Sequence, residues 1–262
     1  MTEPTIRFDD GAAYERFMGV WSRLAGAEFL DWLAPAHNQR WLDVGCGNGA
    51  FSEMLVQRLD PASLDGIDPS EEQIRFAKAR AGTPAAAYRV GDAMALPYAY
   101  GQFDQAVMAL VIFFVPEPAR GVAEMVRVTR SGGTVSAYAW DMPGGGFPYA
   151  ILQGALRAQG KTPLGPPQPA VSAIDALQAV WTGAGLLDVQ TTVITVQRSF
   201  TDFNDFWETA LLGPSLAPTL AKMSPAEVEA MRVHVRERLP EDAQGRIVYS
   251  ARAHAVRGRV AG

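Results

Sequence analysis

Three glycines at alternate positions, in Asp43-Val-Gly45-Cys-Gly47-Asn-Gly49, lie where a short apolar run gives way to a helical pattern. Residues without a Cβ let the backbone turn tightly and approach a ligand closely. The helix that follows offers free N–H groups and the positive end of its dipole. Two more acidic residues recur at equivalent places. Asp68 closes the next apolar run, 19 residues after Gly49, where a carboxylate accepts hydrogen bonds from the two hydroxyls of a ribose. Asp92, in Val90-Gly91-Asp92-Ala93, follows a third run and is placed to accept from the amino group of an adenine. Each aspartate alone reads as a turn or cap residue. At three successive strand ends they converge on one crevice.

Those positions require strands that alternate with helices. Trp41–Val44, Ser63–Ile67, Ala86–Val90, Phe103–Leu110 and Thr134–Ala139 read as strands. The fourth is almost wholly apolar, as expected of a strand buried on both faces. Gly49–Leu59, a helix opening at Ser70 and Glu117–Val128 read as the intervening helices. Ser70 is a fitting N-cap, with Gln73 placed for a capping box. Strand–helix alternation implies right-handed crossovers and a parallel sheet covered on both sides, an α/β doubly wound fold. Helical spacing of Phe17, Trp21, Leu24, Phe29 and Leu33 predicts a helix ahead of the sheet. Beyond Trp140, Gly- and Pro-rich loops flank a short helix at Ala150–Ala158, and Ser172-Ala-Ile-Asp175 carries a capping-box pattern. Val189–Val196 and Arg246–Val256 complete seven strands, with a helical block at 201–240 between them. Ser224-Pro225-Ala-Glu227 is a strong helix start within that block.

The 262 residues, 48% of them apolar, suffice for a sizeable core. A net charge of −5 disfavours a protein held to phosphate backbones, so no nucleic-acid partner is expected. One cysteine, Cys46, leaves no disulfide framework, and without a nearby histidine it reads as a small residue filling the glycine turn. His37, His234 and His254 show no metal-ligand spacing, and none is singled out as a base. The longest apolar run, Ala106–Val115, has ten residues, against roughly 20 for a membrane helix. With no basic, apolar leader at the N-terminus, the expectation is a soluble, cytoplasmic protein, monomeric or homodimeric.

The glycine turn resembles the first motif of the class I S-adenosylmethionine (SAM) dependent methyltransferases, in particular the small-molecule, quinone-biosynthesis-like group. Gly66-Ile-Asp68-Pro69-Ser70 is similar to the second motif, and Gly91-Asp92-Ala93-Met94 with Ala95-Leu-Pro-Tyr98 to the third. Phe103–Val115 resembles the fourth strand and its exit, and Arg127–Trp140 the fifth. The likeness covers about residues 40–140 and implies a Rossmann-like methyltransferase fold, a mostly parallel seven-stranded sheet with helical cap insertions. It further implies SAM as cofactor and S-adenosylhomocysteine (SAH) as product. By that resemblance Gly45, Cys46, Gly47 and Gly49 contact the amino-acid end of SAM, and Asp43 supports the turn or the amine. Asp68, Pro69 and Ser70 take the ribose. Gly91, Asp92, Ala93 and Met94 surround the adenine, and Ala109 and Leu110 lie at the fourth strand's exit. The segment Tyr14–Ser22 resembles one that folds over the methionine end in a bacterial subset, which implicates Tyr14 and Trp21. The chain departs from many relatives in having Leu110-Val-Ile-Phe-Phe114 where they carry a polar residue or histidine.

Division at 1–36, 37–140 and 141–262 follows: a helical segment closing over the cofactor, the SAM-binding core, and the remaining sheet with substrate-cap insertions at about 141–170 and 201–240. The late loops bring Trp140, Phe147, Tyr149, Phe206 and Trp207, which point to a small, hydrophobic or aromatic acceptor beneath an amphipathic lid. Methyl transfer from a sulfonium needs alignment and exclusion of water more than a dedicated catalytic residue. Two other functions fit the pattern less well. One is a SAM-binding protein without turnover. The other is an NAD-dependent oxidoreductase, which expects Gly-x-Gly-x-x-Gly where position 50 is alanine.

Overall fold

The computed structural model describes residues 15–80, 82–83, 85–213, 216–239 and 241–262. A short π-helical turn, Glu15–Gly19, leads into α1 (Val20–Leu33). Then come β1 (Arg40–Val44), α2 (Ala50–Leu59), β2 (Ser63–Asp68), α3 (Glu71–Ala79), β3 (Ala87–Val90), β4 (Phe103–Ala109), α4 (Pro118–Val128) and β5 (Thr129–Trp140). The second half holds α5 (Ala150–Ala158), α6 (Ile174–Gly183), β6 (Leu187–Phe200), α7 (Phe203–Leu211), α8 (Ala217–Leu220), α9 (Pro225–Arg236) and β7 (Ile247–Arg259). The seven strands form one sheet in the order β3-β2-β1-β4-β5-β7-β6. β1 to β5 pair in parallel, and β7 runs antiparallel to both β5 and β6. This is the doubly wound arrangement that the alternation of elements predicted.

Helices cover both faces, as the strands' apolar composition demands. On one face Tyr138 of β5 stacks on Phe29 of α1 at 4.6 Å and meets Phe51 of α2 at 5.7 Å. On the other face Gly258 of β7 gives room to Trp181 of α6, whose indole N–H donates to the Val135 carbonyl at 2.9 Å. The order reverses between β1 and β4, so the C-terminal ends of these strands splay apart there. That gap is the natural ligand crevice of such a sheet.

Local signals held where a side chain had only its own turn to satisfy. Ser70 accepts from the Gln73 N–H at 3.3 Å, and Ser224 with Glu227 forms a complete capping box. Two readings need correction. Ser172 does not cap α6; it sits in a 3₁₀ turn (Pro169–Ser172), accepts from Met142 N–H at 3.1 Å and donates to the Pro169 carbonyl at 2.8 Å. The fifth strand, read as Thr134–Ala139, runs longer: β5 starts at Thr129 and takes in Arg130–Gly133. A register shift between Phe103 and Gln105 accommodates it, with Asp104 accepting from Arg40 and Arg130.

Candidate active site

The glycine turn prolongs the pairing of β1. Gly45 and Cys46 donate their N–H groups to the Ile67 carbonyl at 2.7 and 3.0 Å, and Gly49 N–H closes the turn on the Cys46 carbonyl at 2.9 Å. Gly45, with φ of +76°, leaves no space for a side chain, since a Cβ there would lie 2.4 Å from Val111 Cγ1. The exit of β4 therefore rests directly on the turn. Leu110, itself at φ of +61°, anchors that exit by donating its N–H to the Tyr138 carbonyl at 2.8 Å.

The three aspartates have different surroundings. Asp43 is wholly buried. One of its oxygens accepts from Ser52 Oγ at 2.7 Å, while Oδ1 has no hydrogen-bond partner among the described residues. Burial pushes its carboxyl up to about 7, against the Ser52 hydrogen bond that opposes the shift. Asp68 accepts from Gly47 N–H at 3.0 Å and Ser70 N–H at 2.9 Å, which ties the glycine turn to the start of α3. Burial raises its carboxyl as well, and those two hydrogen bonds hold it down. Asp92 accepts from Met94 N–H at 2.8 Å, and Gly91 N–H donates to the Asp68 carbonyl at 3.1 Å, so the β2 and β3 ends are joined. Cys46 is buried, which pushes its thiol up and disfavours the thiolate.

All three aspartates face one cleft of about 580 Å³, within the usual size of small-ligand sites. Of the candidate cofactor residues, Asp43, Gly45, Cys46, Gly47, Asp68, Pro69, Ser70, Gly91, Asp92, Ala93, Ala109 and Leu110 line it. Gly49 and Met94 do not. Gly49 caps α2 and its α-carbon faces Tyr88 and Ala77, while Met94 turns toward Arg120, which donates to its carbonyl at 3.1 Å. Tyr14 lies outside the described residues. Trp21 is a correction: it is fully buried, its indole N–H donates to Tyr149 Oη at 3.3 Å, and it borders the core rather than the cleft.

The expected acceptor residues also turn inward. Trp140, Tyr149, Phe206 and Trp207 are buried, and Phe147 packs edge-on to Tyr149 at 6.1 Å; none of the five lines the cleft. Tyr149 stacks on Phe17 at 4.5 Å, donates to the Phe17 carbonyl at 2.8 Å, and lies 5.9 Å from Phe206. The face of α7 is thus core packing, not a lid over the cleft. In its place the described lining includes Arg23, Met54 and Tyr138, which the sequence reading passed over, with Ser22 from the segment likened to a cover for the methionine end and Val111 and Phe114 from the β4 exit. The apolar run after β4 was the available signal: Val111, Phe114 and Val115 form the wall at that end. Among the described residues no cluster of His, Cys, Asp or Glu could hold a metal ion, and no helix is long and apolar enough to cross a membrane.

Residues 42–137 match the family described as methyltransferase domain. The chain is similar to the chloroplastic 2-methyl-6-phytyl-1,4-hydroquinone methyltransferase 2 of Oryza sativa subsp. japonica, at 36% identity over 39% of this chain and 31% of that protein. It is also similar to the ubiquinone/menaquinone biosynthesis C-methyltransferase UbiE of Roseobacter denitrificans, at 35% identity over 42% of this chain and 46% of the relative. The chain thus spans less than half the length of these curated relatives. Among solved structures it resembles phosphoethanolamine N-methyltransferase 2 of Haemonchus contortus in complex with phosphomonomethylethanolamine and SAH. There the TM-score is 0.59, at 15% identity over 96% of this chain and 57% of that one. At such identity the likeness speaks for the fold. The matched span coincides with the strands and turns that carry the glycines and all three cleft aspartates, so over residues 42–137 this chain is similar to methyltransferase domains in the part that builds the cleft.

Proposed function

We propose that this protein transfers a methyl group from SAM to a small, mainly apolar acceptor. The observation that carries the reading is Asp43 Oδ1, a buried acceptor without a partner among the described residues, beside a glycine turn that leaves the backbone bare. Such an oxygen suits the ammonium of an amino-acid group, because leaving it unpaired is costly. Asp68 suits ribose hydroxyls, and Ile67, Gly91, Asp92 and Ala93 suit an adenine. SAM, when bound, supplies a methyl on a positively charged sulfur with a good leaving group. The chain's part is positioning: the glycine turn and Asp68 orient the donor, and the β4 exit presents an apolar wall of Leu110, Val111, Phe114 and Val115 to an acceptor. Relatives named for hydroquinone and quinone methylation agree with an acceptor of that character.

The test is calorimetry with SAH, followed by mass-spectrometric detection of SAH formed from SAM with hydroquinone and phenol acceptors. Asp68→Asn keeps one acceptor oxygen, enough for either the Ser70 or the Gly47 N–H but not both, and removes the charge. It is expected to lose about 1.5–3 kcal/mol of SAH binding, the range for a hydrogen bond to a charged group. Unchanged affinity in that variant, or binding of NAD in place of SAH by the wild type, overturns the reading.

A further inference from the structure

The sheet ends on two unlike edges. At one, β3 is short, Ala87–Val90, and carries Arg89. At the other, β6 runs 14 residues, Leu187–Phe200, and pairs with β7 alone among the described strands. A long edge strand offers a row of backbone N–H and C=O groups to another strand, and chains that stay single blunt such edges with Lys, Pro, bulges or short strands. β6 contains no Lys, Pro or Gly. Its irregularity lies at the start, where the register with β7 shifts between Leu187 and Gln190. Beyond it, Thr191, Val193, Thr195, Gln197 and Ser199 share one face by alternation, all uncharged, and Val193 is 50% exposed.

The charges of β6 complement themselves. The strand holds one acid and one base, Asp188 and Arg198, five residues before and five residues after Val193. When two identical strands pair antiparallel about a two-fold axis normal to the sheet, residues equidistant from the axis stand opposite each other on the same face. With the axis at Val193, Asp188 faces Arg198 of the second copy at both ends of the pair, and Thr191 faces Thr195. Moving the axis by one residue either way sets Asp188 against Val196 or Phe200 and loses both ion pairs. Arg198 uses Nη1 on the Arg16 and Phe17 carbonyls, and Asp188, largely exposed, meets Arg259 at 2.7 Å. A guanidinium has further N–H donors and a carboxylate further lone pairs, so each can hold a second partner.

We propose that β6 pairs antiparallel with β6 of a second copy of this chain about a two-fold axis at Val193, joining the two sheets into one. Such a contact is isologous and closes on itself, so it uses up the edge that would otherwise invite open-ended association. β6 stands three strands away from β4 in the sheet order, so the cleft of each copy stays open in the dimer.

The experiment takes the full chain through sedimentation velocity over about 1–100 µM, a range suited to a narrow interface, and reads the register by cysteine crosslinking. The wild type is expected to pass from monomer to dimer as concentration rises. Val193→Lys sets two ammonium groups face to face and is expected to weaken association by about ten-fold or more, with thermal unfolding and SAH binding unchanged. Asp188→Lys, opposite the second copy's Arg198, weakens it as well. Residues directly opposite in an antiparallel pair have Cα atoms about 4.5–5.5 Å apart, within disulfide reach. Val193→Cys is therefore expected to give a covalent dimer with oxidised glutathione. Thr195→Cys, which faces Thr191, gives none, and neither does the wild type, whose Cys46 is buried. A wild type that stays monomeric overturns the proposal; if the outward amides of β6 are then protected from hydrogen exchange, another segment of the chain holds the edge. A dimer that Val193→Lys leaves intact lies on another surface and overturns it too. Crosslinking at Thr195→Cys in place of Val193→Cys overturns the register and the charge pairing with it.

Discussion

Asp43 shows what one buried carboxylate can do to a binding curve. Its carboxyl lies near 7 because burial disfavours the charge more than Ser52 restores it. A folded-state value above the unfolded one means that Asp43 favours folding most in acid, and that this contribution fades as pH rises through about 7. Donor binding runs the other way, because only the ionised form attracts an ammonium. SAH affinity is therefore expected to rise roughly ten-fold between about pH 6 and about pH 8, the change in ionised fraction around such a value. Calorimetry across that range checks it, with Asp43→Asn expected to give a flat profile; a steep profile in the variant contradicts the assignment. Asp43, Asp68 and Asp92 were legible because each sits within two residues of the C-terminal end of its strand, so strand ends alone bring them together. Trp21 and its neighbours were not. Successive helical residues point about 100° apart, and nothing in residues 17–33 says which of Trp21, Ser22 and Arg23 meets the cleft.

The same ambiguity operates over whole elements. Helix α7 is amphipathic, and its apolar side was read as a lid. Amphipathicity says that a face is covered and is silent on what covers it. In the fold Phe206 meets Phe200 at 5.1 Å and Tyr249 at 5.5 Å, while Phe203 stacks on Trp207 at 6.1 Å and carries Arg232 and Arg236 over its ring. Phe206→Ala is accordingly expected to cost about 3–5 kcal/mol of stability, as large-to-small changes at buried aromatics do, with SAH affinity of the folded protein unchanged. Urea unfolding and calorimetry together check this. A variant of normal stability that fails to use its acceptor restores the lid. Element ends behaved better where the capping partner lies within a turn, as at Ser70 and Ser224. Ser172 failed because its hydroxyl is claimed by Met142, 30 residues away in sequence.

At the scale of the molecule, the segment ahead of the sheet is part of the core. Phe17, Trp21, Ala25, Phe29, Leu30 and Leu33 are buried, and Arg257 of β7 donates to the Leu33 carbonyl at 2.9 Å. Arg198 of β6 donates to the Arg16 and Phe17 carbonyls at 2.9 and 3.3 Å. Removing residues 1–25 takes away two large buried aromatics, at about 3–5 kcal/mol each, from a domain whose total stability is of order 5–15 kcal/mol. The truncated chain is expected to show no cooperative thermal transition by circular dichroism, and a normal transition would show the segment to be dispensable. The alternation of strands and helices, hence the doubly wound sheet, was written in the order of the residues, and with it the strand-end aspartates and the glycine turn. These rest on periodicity and on contacts between residues near in the chain. The tertiary structure alone decided that α1 closes the cleft with Ser22 and Arg23. It also decided that Tyr149, Phe206 and Trp207 serve the core, and that Val111 seals the glycine turn. Each of those outcomes depends on which face of an element meets a partner far away in the sequence, and hydrophobicity, being non-directional, marks a face for burial without choosing its partner.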